Sequence, residues 1–156
     1  MFLQIFFWLL ILGAIWCAYR IFITDFRRRI IPDVYLFPLL LSGLLLSAFY
    51  SWPCDIQTAA IGATFGYTMS AIIGFIFDYR IRRQDANAIS PIGMGDIKLL
   101  GTGGLWLGTT GLAIAMLISC ILGGIWARKN DQKYIPFAPF FIIGGILALL
   151  AITFLI

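Results

Sequence analysis

The chain has 156 residues, 62% hydrophobic and 12% charged, with eleven Lys and Arg, seven acids that are all aspartate, and no histidine. A mean hydropathy of +0.99 lies outside the range of soluble domains and reads as bilayer spans, so an all-α polytopic membrane protein is expected. Without histidine a His-Glu-x-x-His zinc site is excluded, and Cys17, Cys54 and Cys120 form no Cys-x-x-Cys pair, so neither a metal centre nor a disulfide framework is indicated.

At roughly 20 residues per span there is room for about six helices and for one domain, residues 1–156. The first apolar run, Phe2 to Ile23, has no positive charge before it, and Arg20, Arg27, Arg28 and Arg29 cluster at its end. That polarity is the reverse of a cleavable signal, so the run reads as a retained span with its N-terminus outside. The second run, from about Val34 to Tyr50, has Pro38 near its start and ends in Ser51-Trp52-Pro53-Cys54-Asp55. The third, from about Ile56 to Phe77, repeats Gly62, Gly66, Ser70 and Gly74 every four residues, a nearly bare face for close packing against another helix backbone.

A polar stretch from 78 to 96, with Asp78, Arg80, Arg82, Arg83 and Asp85, reads as a loop. The apolar sequence from Ile97 to Trp126 would be about 45 Å long as one helix, against a hydrocarbon core of about 30 Å, so a break is expected at Gly108-Thr109-Thr110-Gly111. The short fourth span that results suggests that Pro91 to Asp96 dips below the membrane surface. Gly111, Ala115, Ser119 and Gly123 form a second small-residue stripe, and a sixth span follows from about Ile135 to Ile156. The stripes suit packing within one bundle or between two. Six spans put all eleven Lys and Arg at the cytoplasmic face, both termini on the outer, periplasmic side, and Asp55 as the one charged side chain outside.

The centre of this pattern is Pro91-Ile92-Gly93-Met94-Gly95-Asp96-Ile97-Lys98. An acid entering apolar sequence is costly unless paired, neutralised or used. Asp25 ends the first span at the same face as Asp96. Two carboxylates in one confined site do not both ionise easily, so one can act as acid and the other as base, activating water against a peptide carbonyl. Gly93 and Gly95 leave room for a substrate strand. Asp33, after Pro32 and before an apolar run, is a good helix-start residue as well as a candidate site residue. Lys98 either biases the carboxylates or snorkels to the surface. Asp96 alone could be a structural acid at a helix start, paired with Lys98 or an arginine.

With Asp25, then Ile31-Pro32-Asp33, Phe37-Pro38-Leu39-Leu40, Gly93-Met94-Gly95-Asp96-Ile97-Lys98-Leu99-Leu100 and Ile135-Pro136-Phe137-Ala138-Pro139, the chain resembles the type IV prepilin peptidases, aspartic proteases of the inner membrane. The resemblance covers most of the chain. It implies Asp25 and Asp96 as the catalytic pair, Gly93, Gly95, Lys98 and Asp33 as site-shaping residues, no metal or organic cofactor, and a prepilin or pseudopilin substrate cut at the cytoplasmic membrane face. Three departures stand out. The chain starts at the peptidase core, without the paired Cys-x-x-Cys region of bifunctional members, so no methyltransferase activity is expected. Arg27 stands where many relatives have a further acid, and Ala138 replaces the usual glycine.

The arginine clusters read as topology determinants meeting lipid headgroups rather than nucleic acid, and the fourteen phenylalanines and five tryptophans as lipid-facing or interfacial packing. A small transporter subunit relaying protons or binding a cation through Asp25 and Asp96 is the alternative, as is an inactive scaffold for pilus assembly. The boundary position of the acids and the lack of an inverted repeat argue against a carrier.

Overall fold

The computed structural model describes residues 1–83, 92–131 and 135–155; Asp85, Pro91 and Ile156, named above, and Lys133, one of the eleven basic residues, lie outside the described residues. Five helices follow one another: α1 (Phe2–Arg28), α2 (Asp33–Tyr50), α3 (Ile56–Arg82), α4 (Met94–Asn130) and α5 (Phe137–Leu155). Among the described residues there is no strand, as lipid demands of segments that must satisfy their own backbone. The helices α1 to α4 are each long and apolar enough to cross a membrane.

About six helices are expected from the apolar runs and five are found; the difference lies in α4. Its 37 residues count as one element, but Gly108 inside it has φ 64° and ψ −175°, left-handed backbone that glycine alone adopts at no steric cost. The chain doubles back at this residue. Asp96, near the start of α4, shares a cavity with Asp25 of α1. Trp126, thirty residues later and about 45 Å away along a straight helix, packs edge-on against Phe26, the residue after Asp25. Both ends of α4 therefore meet the same end of α1.

The small-residue stripes explain how the doubled chain is held. A Cβ on Gly62 would stand 2.1 Å from the Gly104 carbonyl oxygen and 2.8 Å from the Gly108 Cα; one on Gly66 would stand 2.5 Å from the Leu100 oxygen. Helix α3 thus lies backbone to backbone on the first half of α4. The second half presents Gly111, Ala115, Ser119 and Gly123, all buried, to α5, where a Cβ on Gly144 would come within 2.5 Å of the Ala115 oxygen. Both stripes serve packing within one bundle. Without a hydrophobic drive between helices in lipid, such close approach is what dispersion contacts require.

Two helices run past the ends of their apolar runs. Helix α1 continues through Arg27 and Arg28, and Arg29, at φ 54°, closes it by donating its amide to the Asp25 carbonyl at 2.8 Å. Helix α3 continues to Arg82, whose guanidinium pairs with Asp78 four residues earlier at 2.8 Å. At the opposite end of the molecule Asp55 caps α3, accepting from the amides of Gln57 and Thr58 and from the Thr58 hydroxyl. Its hydrogen bonds with Thr58 hold the Asp55 carboxyl below the ordinary aspartate range.

Candidate active site

Three helix ends build the site. Asp25 belongs to the last turn of α1 because the helix runs on beyond its apolar run, and it is 4% exposed. The Ile135-Pro136 step precedes α5, whose first amides have no partner within the helix. One of them, the amide of Ala138, donates to Asp25 Oδ2 at 2.9 Å. The carboxylate of α1 thereby sits at the positive end of α5, a favourable place for negative charge.

Asp96 enters from the third direction. Gly93 precedes α4 with extended backbone, and Asp96 in the first turn reaches back so that the Gly93 amide donates to its Oδ2 at 3.3 Å. Like Asp25, it lies at a helix N-terminus. Asp96 is half-buried, and both acids line one cavity of about 490 Å³ together with Gly93, Gly95 and Arg29. The glycines act by what they lack: a Cβ on Gly93 would stand 3.3 Å from Asp96 Oδ2, and one on Gly95 would stand 3.0 Å from the Ile31 Cβ.

The remaining candidates fall elsewhere. Lys98 Nζ donates to Asp33 Oδ2 at 2.7 Å, forming an exposed ion pair that ties the start of α2 to α4. Neither residue lines the cavity of the two aspartates. Asp33 does begin α2, as its place after Pro32 suggests, but it does not cap the helix: the cap residue is Pro32, and the Asp33 carboxylate is taken by Lys98. The idea that Asp96 pairs with Lys98 fails for the same reason. Two participants were not singled out from the sequence as site residues. By sequence Arg29 belongs only to the basic cluster, and its left-handed backbone is visible in the structure alone. The part of Ala138 is played by a backbone amide, which no side-chain pattern announces.

Two carboxylates of different environment, one wholly buried on a helix amide and one partly open, thus line one cavity. The comparisons with known proteins fit that geometry. The sequence model of the type IV leader peptidase family matches residues 5–128. The prepilin leader peptidase/N-methyltransferase of Aeromonas salmonicida (strain A449) is 30% identical over 142 residues, covering 86% of this chain and 46% of that protein. The proteins of the same name from Aeromonas hydrophila and Dickeya chrysanthemi are 32% and 31% identical, over 86% and 90% of this chain and 47% and 51% of theirs. The chain thus spans about half the length of the curated relatives it matches. No solved structure matches it. On a family match that takes in most of its length, and with the acids of its first and fourth helices brought into one cavity, this chain belongs to the type IV leader peptidase family.

Proposed function

We propose that the chain is an integral membrane aspartic endopeptidase that removes the leader from type IV prepilin-like or pseudopilin precursors, with Asp25 and Asp96 as the catalytic pair. The observation that carries this reading is the meeting of the two carboxylates in one cavity at the mouths of two helices. One carboxylate, ionised, takes a proton from a bound water as the water oxygen attacks the scissile carbonyl carbon. The other, protonated, donates toward the carbonyl oxygen. When the tetrahedral carbon collapses, the C–N bond breaks and the departing amine leaves with a proton from the dyad. Gly93 and Gly95 leave room for the substrate backbone beside Asp96. Lys98 and Asp33 act on the site by fixing the start of α2 against α4.

The same reading includes the membrane. The halves of α4 on either side of Gly108 count as separate spans, giving six, with both termini periplasmic and the dyad at the cytoplasmic face of the inner membrane. The basic residues support this: Arg27 and Arg28 end α1, Arg80 and Arg82 end α3, and Arg128 and Lys129 end α4, all on the dyad's side. In a chain whose three native cysteines are replaced by serine, a cysteine placed at Thr110 should then react with an impermeant thiol reagent added from outside, and one at Arg82 should not.

The direct test is cleavage of a candidate precursor co-expressed in membranes. The native chain should trim the leader, whereas Asp25→Asn and Asp96→Asn, at equal folded levels, should not. Trimming that survives either change would overturn the assignment of the dyad.

A further inference from the structure

Arg20 is an unusual cation for its place in the chain. It lies inside the first apolar run, before Ile23 ends it, and about 12 Å short of Arg28 along the axis of α1. Its side chain is exposed. A charge facing lipid at such a position is costly unless an anion meets it. Among the described residues no carboxylate does so: the two ion pairs are Arg82 with Asp78 and Lys98 with Asp33. Asp25, on a different face of α1, is buried and held by the Ala138 amide, and α5 carries no charged residue between Phe137 and Leu155.

Uncharged groups fix Arg20 instead. Its Nη2 donates to the Tyr35 hydroxyl of α2 at 2.9 Å, and the guanidinium carbon stands 5.1 Å from the Tyr35 ring centre and 5.8 Å from that of Trp16. Such contacts orient the cation without neutralising it. A guanidinium carries further N–H donors in a planar fork, and that fork matches a phosphate, which accepts two parallel bonds.

The rest of the face identifies the carrier of the phosphate. Leu12, Trp16, Arg20, Thr24 and Arg27 follow one another at steps of three or four residues and so share one face of α1. Toward the start of the helix this face is apolar and open, with Leu12 61% and Trp16 58% exposed. Toward its end the Thr24 hydroxyl is turned back onto the Arg20 carbonyl, and Arg27 is exposed about 10 Å beyond Arg20. Apolar, then cationic, then cationic again is the order in which a phospholipid presents its chain, its phosphate and an acidic headgroup. A headgroup with an ammonium of its own would set that charge against Arg27.

We infer that this face of α1, completed by Tyr35 of α2, binds one anionic phospholipid, with the phosphate on the Arg20 guanidinium and the acyl chain along Trp16 and Leu12. The inference rests on the membrane reading of α1 and is independent of the peptidase assignment.

The test titrates the full chain, purified in detergent and freed of lipid, with dioleoyl phosphatidylglycerol, dioleoyl phosphatidylcholine or inorganic phosphate, and counts bound molecules by native mass spectrometry. One phosphatidylglycerol should bind about tenfold more tightly than phosphatidylcholine, the scale of hydrogen bonds to a charged group. Arg20→Gln should remove that preference, and Arg128→Gln, at the end of α4, should leave it intact. Equal affinity for the two lipids, a preference that survives Arg20→Gln, or the same loss with Arg128→Gln would overturn the site. Release of the bound lipid by millimolar phosphate would overturn it too, by showing a site for any small anion. A measurement on the native chain guards against a variant that fails to fold. Phosphatidylglycerol with a photoreactive group on its chain should label the segment of Leu12 and Trp16 well above that of Phe75, which is 72% exposed on α3; equal labelling of the two would contradict the inference.

Discussion

Two pairs of charged residues tie the start of α4 to the preceding helices, and they are opposites. Asp33 and Lys98 are unlike charges on the surface, 2.7 Å apart and half-exposed. Such a pair satisfies itself, is screened by water and stabilises little. Asp25 and Asp96 are like charges lining one cavity, one wholly buried and the other partly so. Like charges are not brought together under cover for stability, since each disfavours the ionised form of the other. The difference teaches where to look for chemistry: the pair that costs the fold something is the candidate site, and the pair that merely closes a contact is its support.

The largest expected effect follows from that contrast. Asp25→Asn or Asp96→Asn keeps the shape of the site and should lower precursor cleavage by about a hundredfold or more, the scale of acid–base catalysis, measured in membranes at equal protein level. The proposed dyad predicts a rate that falls on both the acid and the alkaline side of its optimum, because the proposed mechanism uses only the singly protonated pair. A rate flat across the range from both protonated to both ionised would break the distinction between the pairs.

Both pairs depend on the first half of α4 being seated on α3. Gly62→Leu drives a side chain into the Gly104 carbonyl, where even a Cβ would stand 2.1 Å away, and nothing in a backbone contact can yield. It should displace α4, abolish cleavage and lower thermal stability together, read by melting in detergent. Gly95→Val is milder: its Cβ meets Ile31 at 3.0 Å, a side chain that can shift by tenths of an ångström. A loss of cleavage of about tenfold with the fold retained is expected.

The supporting pair sharpens the comparison from the other side. Asp33→Asn or Lys98→Met should cost less than about 1 kcal/mol of stability, since both side chains are more than a third exposed, and should change the cleavage rate by only a few-fold. A loss as deep as that of Asp25→Asn would show that Lys98 or Asp33 belongs to the chemistry itself. Asp55 gives the smallest effect. Its carboxyl titrates below the ordinary value because of its bonds to Thr58. The stability it adds to α3 is therefore present above the unfolded pKa and lost as pH falls through the folded one. Asp55→Asn should flatten the acid limb of the melting curve and leave cleavage at neutral pH unchanged.

Much of this was legible in the sequence because glycine speaks plainly in lipid. The stripe from Gly62 to Gly74 and the break at Gly108 follow from helix period and span length, and both stand in the structure. Hydropathy was less exact about helix ends. Apolar runs stop at the first charges, whereas α1 and α3 continue past them until a left-handed residue or a charged last turn closes the helix. The convergence of Asp25 and Asp96 was readable as an expectation from shared membrane depth. The hold of the Ala138 amide on Asp25 was not, because it joins residues 113 apart in the chain through a backbone atom. Nor was the partner of Lys98, since Asp33 and Asp96 were equally available by sequence and only packing selects between them.

The central claim is that Asp25 and Asp96 act as one unit. The most direct test compares Asp25→Asn, Asp96→Asn and the double variant for their residual rate on the same membrane precursor, with folded protein quantified in each. If the two share one proton and one water, either single change removes the whole mechanism, and the double variant should be no slower than the slower single. If the losses multiply, so that the double variant is slower by the product of the two, the carboxylates act independently and the shared-site account is wrong.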